Sequence, residues 1–160
     1  MKTNRRMEAL LDEIRDGNLD DPKALPQKLL ALLNGGFVEE DECVFLALLK
    51  KNSDVQRLDF PDRTAYECFV NLVHIEAYLE NGGLPPIELL GRGIALARET
   101  VDRLSRLHGT KHFRVIVSSG GPNCAVRFHT VRSEESWVAK DLEGFREEAV
   151  AELETQESAL

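Results

Sequence analysis

The chain has 160 residues with a net charge of −8, 42% apolar and 30% charged residues, the profile of one soluble globular domain rather than of a disordered or membrane-spanning protein. No apolar run approaches the ~20 residues that cross a bilayer, and the basic residues 1–6 lead into Glu8, Asp12 and Glu13 instead of a signal-type apolar stretch, so a cytoplasmic protein is expected. The acidic balance speaks against general nucleic-acid binding, which needs positive potential, and suits a basic partner.

Residues 4–16 carry Met7, Leu10, Leu11 and Ile14 at helical spacing and stop at Gly17. A second helix starts at Pro22, carries Leu25, Leu29, Leu30, Leu32 and Leu33, and stops at Asn34, Gly35 and Gly36. A third is predicted over 39–51, with acids at its start and Lys50 and Lys51 at its end, as the helix dipole favours. Asp62 is the expected N-cap of a fourth, over 63–80. Tyr66, Phe69, Val70, Leu72, Val73, Ile75 and Leu79 make that helix apolar around most of its girth, and Asn81, Gly82 and Gly83 end it. The fifth follows Pro85 and Pro86. It places Ile87, Leu90, Ile94, Ala97, Val101, Leu104 and His108 at alternating spacings of three and four over 87–108, the pattern of a packing helix in a bundle or of a homodimer seam. Gly91 and Gly93 allow another backbone close to it.

Residues 111–132 read as a β-hairpin. Phe113, Val115 and Val117 alternate before Gly120-Gly121-Pro122-Asn123, and Val126, Phe128 and Thr130 alternate after it, which pairs 113 with 130, 115 with 128 and 117 with 126. A last helix is predicted beyond Asp141, its N-cap, with Leu142, Phe145, Ala149 and Leu153 as the apolar stripe covering the hairpin, and fraying is expected from Gln156. The expected fold is a single α+β domain over 1–160: a mostly helical N-terminal bundle of about five helices within 1–109, then a β-hairpin and a C-terminal helix within 110–160.

Charge is distributed unevenly: residues 1–109 carry minus five, the hairpin plus four with no acid, and residues 133–160 minus seven. The polar hairpin face sets Arg114 opposite His129, with His112 and Arg127 diagonal to them. These four form a candidate anion site. Two histidines beside two arginines also suit acid/base cleavage of a phosphodiester, although a basic strand face beside an acidic segment is ordinarily salt-bridged or solvated. The acidic runs Glu39, Glu40, Asp41, Glu42 and Glu134, Glu135 are ordinarily solvated as well. Their sharper reading is recognition of a basic partner, with Trp137 as an aromatic anchor and Asp141, Glu143 and Glu147 continuing the surface.

Other chemistries fall away. Cys43, Cys68 and Cys124 are dispersed among apolar residues, as small buried hydrophobes in a reducing compartment are. Metal ligands are not clustered, and Gly109 interrupts the helix that His108 and His112 would have to share. Cys124 and His129 are an odd number of positions apart on one strand, so they lie on opposite faces. His74-Ile75-Glu76 with Pro122-Asn123-Cys124 matches part of a zinc deaminase signature, but Arg127 stands where its second cysteine is needed. Gly120-Gly121 is followed by no helix, so it cradles no phosphate. No cofactor is indicated.

The run Phe113-Arg114-Val115-Ile116-Val117-Ser118, then Val126 to Arg132, then Trp137 and Asp141-Leu142-Glu143-Gly144-Phe145, resembles the end of small bacterial immunity proteins that accompany contact-dependent and other polymorphic toxins. The resemblance covers the C-terminal third only. It implies a small acidic cytoplasmic protein without catalytic activity that binds one cognate toxin, often a basic nuclease, and blocks its active site or substrate groove. The rival expectations are a phosphate-handling or nuclease-like enzyme using His112 and His129, and a homodimeric helical scaffold joined through 87–108.

Overall fold

The computed structural model describes residues 1–16, 25–80 and 83–155. The fold is α+β, but the helical bundle does not form: a five-stranded antiparallel sheet organises the chain, and one long helix lies at its centre. In chain order the strands and helices are β1 (Lys2–Thr3), α1 (Arg5–Asp16), α2 (Gln27–Asn34), β2 (Phe37–Glu40), β3 (Cys43–Leu46), α3 (Ala47–Lys51), α4 (Arg63–Val70), β4 (Val73–His74), α5 (Pro86–Leu107), β5 (Phe113–Gly120), β6 (Asn123–Thr130) and β7 (Ala149–Glu154). The main sheet has the order β1-β7-β5-β6-β4, and β2 pairs with β3 in a separate hairpin. The stop expected at Gly17, the start at Pro22, the stop at Asn81 and Gly82, and the end from Gln156 lie outside the described residues.

The β5–β6 hairpin forms in the register its alternation predicts, Phe113 opposite Thr130, Val115 opposite Phe128 and Val117 opposite Val126. Pairing continues to Gly120 and Asn123, so the turn is Gly121, at φ +56°, and Pro122. The inner face of the sheet carries Phe113, Val115, Val117, Val126 and Phe128, and α5 and α1 pack on it. Leu90, Ile94, Ala97 and Leu104 of α5 are buried there. Each such aliphatic side chain contributes about 1.5–3 kcal/mol when fully removed from water. The heptad stripe is therefore occupied by the sheet within the chain. Gly93 lets the helix approach: a Cβ at this position would stand 2.5 Å from Cys124 Sγ.

The predicted C-terminal helix is replaced by a strand. Ala149, Ala151 and Leu153 join the inner core, while Val150 points to the other face with Ile116, Val138 and Leu142. The stripe read at helical spacing is thus divided, with Leu142 and Phe145 in the outer cluster. Alanine, glutamate and leucine favour helix locally. Pairing on both sides, with β5 and β1, satisfies backbone groups that would otherwise line an open sheet edge, and tertiary context overrides propensity.

Two further helices of the expected bundle are shortened. The third is confined to Ala47–Lys51 because Cys43, Val44, Phe45 and Leu46 are all buried, which a strand covered on both faces achieves and a one-stripe helix does not. Asp41 and Glu42 form the hairpin turn at φ 54° and 62°, left-handed values that fit a type I′ turn. The fourth starts at its predicted cap, where Asp62 Oδ1 accepts from Ala65 N at 2.7 Å, and ends at Asn71 instead of continuing to 80. The Asn71 side chain accepts from Leu46 N and donates to Val44 O, both at 2.9 Å, which draws the helix end onto β3. The chain then enters β4 and a 3-10 turn, Ile75–Tyr78.

Two buried polar residues join these parts. Glu67 on α4 is fully buried, and its carboxylate accepts from Val44 N, Thr130 N, Thr130 Oγ1 and Arg132 Nη1, each at 2.8 Å. Asn4 caps α1 by accepting from Met7 N at 3.0 Å and pins β7 by accepting from Val150 N at 3.0 Å. Its amide donates to Glu148 O at 2.9 Å.

Candidate functional site

The outer face of the sheet carries the basic residues of the hairpin, but they do not converge on a common position. Arg114 pairs with Glu154 at 2.6 Å and stands 3.8 Å from Glu152, both on β7. His112 Nε2 is 3.1 Å from the other Glu154 oxygen. Burial opposes ionisation of Glu154, but the hydrogen bonds from Arg114 and His112 prevail and hold its carboxyl below the usual carboxylate range. Arg127 turns away and lies over the Trp137 ring, 5.0 Å from its centroid, a cation–π contact.

His129, opposite Arg114 in the ladder, is covered and 1% exposed. Its Nδ1 is 2.8 Å from Thr130 O. A carbonyl only accepts, so Nδ1 carries the hydrogen, and Nε2 is buried with a bare lone pair and no partner among the described residues. Burial pushes the ring's pKa down. The two histidines thus serve different partners, with Arg114 between them held by carboxylates, and the four expected anion-site residues present no open cationic pocket.

Beside Arg114 a polar groove of about 550 Å³ runs between β7 and residues 136–140, bordered by Lys2, Ser136, Lys140, Glu152 and Glu154. Lys2 Nζ closes one end by donating to Lys140 O at 2.5 Å. None of these five is an expected site residue; the helical reading sets Glu152 and Glu154 on the acidic side of the last helix. The period-two pattern of Ala149, Ala151 and Leu153 against Glu152 and Glu154 was the available signal, and it was masked by good helix formers.

The first acidic run is closed on itself. Glu39 pairs with Lys111, Glu40 with Lys50 at 3.1 Å and Glu42 with Arg63 at 3.1 Å. The hydrogen bond from Lys111 lowers the Glu39 pKa. Arg63 Nε donates to Asp41 O and Arg132 Nη2 to Glu42 O, both at 2.9 Å, so two arginines hold the left-handed turn in place.

The second run divides. Glu135 accepts from Thr64 N at 2.9 Å and from Thr64 Oγ1 at 2.8 Å, at the positive end of α4. Burial opposes its ionisation, but these bonds and Arg132 prevail and lower its pKa. Asp141 caps a short 3-10 turn by accepting from Glu143 N at 3.0 Å, and Glu143 accepts from Arg5 N at 2.8 Å. Glu134, Trp137, Asp141, Glu143 and Glu147 are nonetheless exposed, and Trp137 keeps 41% of its surface in solvent. They lie on the long β6–β7 connection, which carries six acids and two bases over 133–148. The connection therefore carries an exposed aromatic ring over Arg127 and exposed carboxylates along its length, of which Glu143 lies at Arg5 and Glu147 lines a separate cavity beside α1 and α5.

No helix among the described residues is long and apolar enough to cross a membrane, and no group of three or more His, Cys, Asp or Glu side chains there could hold a metal ion. No curated protein and no solved structure matches the chain. A family model does match, over residues 2–160, and the chain belongs to the Uncharacterized protein PM0498 family.

Proposed function

We propose that this chain is a cytoplasmic, non-catalytic inhibitor of the immunity type, which neutralises a basic cognate toxin by docking it on the β6–β7 connection. The observation that carries this reading is the exposure of Trp137 on a connection that also exposes Glu134, Asp141 and Glu143, since aromatic anchors dominate binding energy and opposite charge steers association. The burial of His129 and the pairing of Arg114 with Glu154 favour this reading over the enzyme one. The scaffold reading loses support because the α5 stripe packs on the sheet.

Co-expression with the product of the adjacent reading frame tests the proposal. The two proteins are expected to co-purify, and expression of this chain is expected to restore growth to cells making that product. Trp137→Ala is expected to weaken the complex by about 2 kcal/mol, roughly 30-fold in Kd, with the fold unchanged by circular dichroism. Neither binding nor protection from any adjacent product would sink the reading.

A further inference from the structure

A second cavity, of about 370 Å³, opens between α1, the first turn of α5 and the β5–β6 turn. It is at the small end of ligand-sized pockets. Ala9, Leu10 and Ile87 give it apolar walls, with Arg6 and Glu147 also among its lining residues. Ser119 lines it from the inner face of the sheet, nine-tenths buried, and its hydroxyl has no hydrogen-bond partner among the described residues. Pro85 caps α5 without a side-chain hydrogen bond, and Leu89 N is the amide that closes the first turn, onto Pro85 O. The amides of Ile87 and Glu88 therefore precede the first intrahelical bond, at the positive end of a 22-residue helix.

We propose that this cavity binds a small apolar carboxylate. The carboxylate sits at the first turn of α5, beside the Ser119 hydroxyl and within reach of Arg6, and the hydrocarbon tail lies over Ala9, Leu10 and Ile87. The site joins a fixed partial positive charge, an unpartnered hydroxyl that a buried residue presents to the cavity, and an apolar wall, the first two fitting the carboxylate and the third the tail. Glu147 opposes a second negative charge, so the site selects monoanions. This site is separate from Trp137, and its test is independent of any toxin.

The test is titration of the ¹⁵N-labelled full chain with sodium hexanoate, using hexanol as the neutral control. Saturable shifts are expected at the amides of Ile87, Ser119 and Gly120, with a Kd on the order of 1 mM for so small a ligand. Hexanol and the Arg6→Gln variant are each expected to lower affinity about tenfold, one favourable charge contact's worth. Ala9→Leu, a change at an exposed helix position, fills the mouth and is expected to abolish the shifts while the rest of the spectrum is retained. Leucine identifies the source: tighter binding than hexanoate means a free amino acid with its ammonium at Glu147, and weaker binding means a simple fatty acid. No saturable shift, hexanol binding as well as hexanoate, or full binding by Ala9→Leu would overturn the proposal.

Discussion

The two acidic runs of this chain are alike in composition and opposite in fate. Around 39–42 every glutamate has a cation, Lys111, Lys50 or Arg63, and the turn's carbonyls take Arg63 and Arg132. Along 133–148 Glu135 is drawn into such a network, while Glu134, Asp141, Glu143 and Glu147 stay exposed. Whether an acidic cluster is available to a partner depends on what the fold brings opposite it, and here Lys111 comes from 72 residues away. Arg132 links the two regions, touching Glu67, the Glu42 carbonyl and, at 3.7 Å, Glu135.

Arg132→Met should break the contrast most severely. It leaves the fully buried Glu67 carboxylate without its cation, and loss of one partner of a buried pair costs about 3 kcal/mol or more. Urea denaturation measures this, with Glu134→Gln on the open connection as the control expected to stay within about 0.5 kcal/mol of the parent. A loss under about 1 kcal/mol for Arg132→Met would show that the closed region is no more locked than the open one.

Glu135 belongs to one region by sequence and to the other by structure, and Glu135→Ala sharpens the comparison at a middle magnitude. Removal of its hydrogen bonds to Thr64 in the first turn of α4 should cost about 1 kcal/mol at pH 7. The sign follows from a folded pKa that is lowered. The contribution is fully present above the unfolded value of ~4.3 and disappears as pH falls through the lower folded value. Parent and variant stability curves should therefore converge in acid, and a gap that persists at low pH would refute the assignment.

The smallest expected effect is a gain. Glu42 holds φ +62°, where a side chain costs roughly 1 kcal/mol that glycine avoids, and glycine returns part of this through greater freedom in the unfolded chain. Glu42→Gly also removes the exposed Arg63 pair, which is worth little. A net stabilisation of up to ~0.5 kcal/mol is expected by thermal melting, and a clear loss would mean that the ion pair, not the backbone, governs this turn.

The parts of the fold governed by local rules were legible. The β5–β6 register followed from alternation, α5 from its stripe and the start of α4 from Asp62, while at Gly93 side chains, Cys124 foremost, come close where a backbone was expected. The parts decided by distant partners were not. Asn71 ends α4 because Val44 and Leu46 need hydrogen bonds, and β7 is a strand because β5 and β1 lie on either side of it. The same holds for the surface. Trp137, singled out in the sequence, is exposed, whereas the neutralisation of Arg114 by Glu152 and Glu154 depended on a strand that local propensity concealed.

The position of β7 also sets an order of events during synthesis. It is made after the other strands of its sheet, yet it lies inside that sheet, between β5 and β1, and the Val150 amide meets Asn4 across 146 residues. Contacts of such separation form late and slowly, because the loop they close is most of the chain. While β7 is still within the ribosome, α1 and the inner face of β5 lack the partner that joins them, and the apolar surface they share is open. The sheet therefore waits on the segment that follows β6, and this interval is its most aggregation-prone.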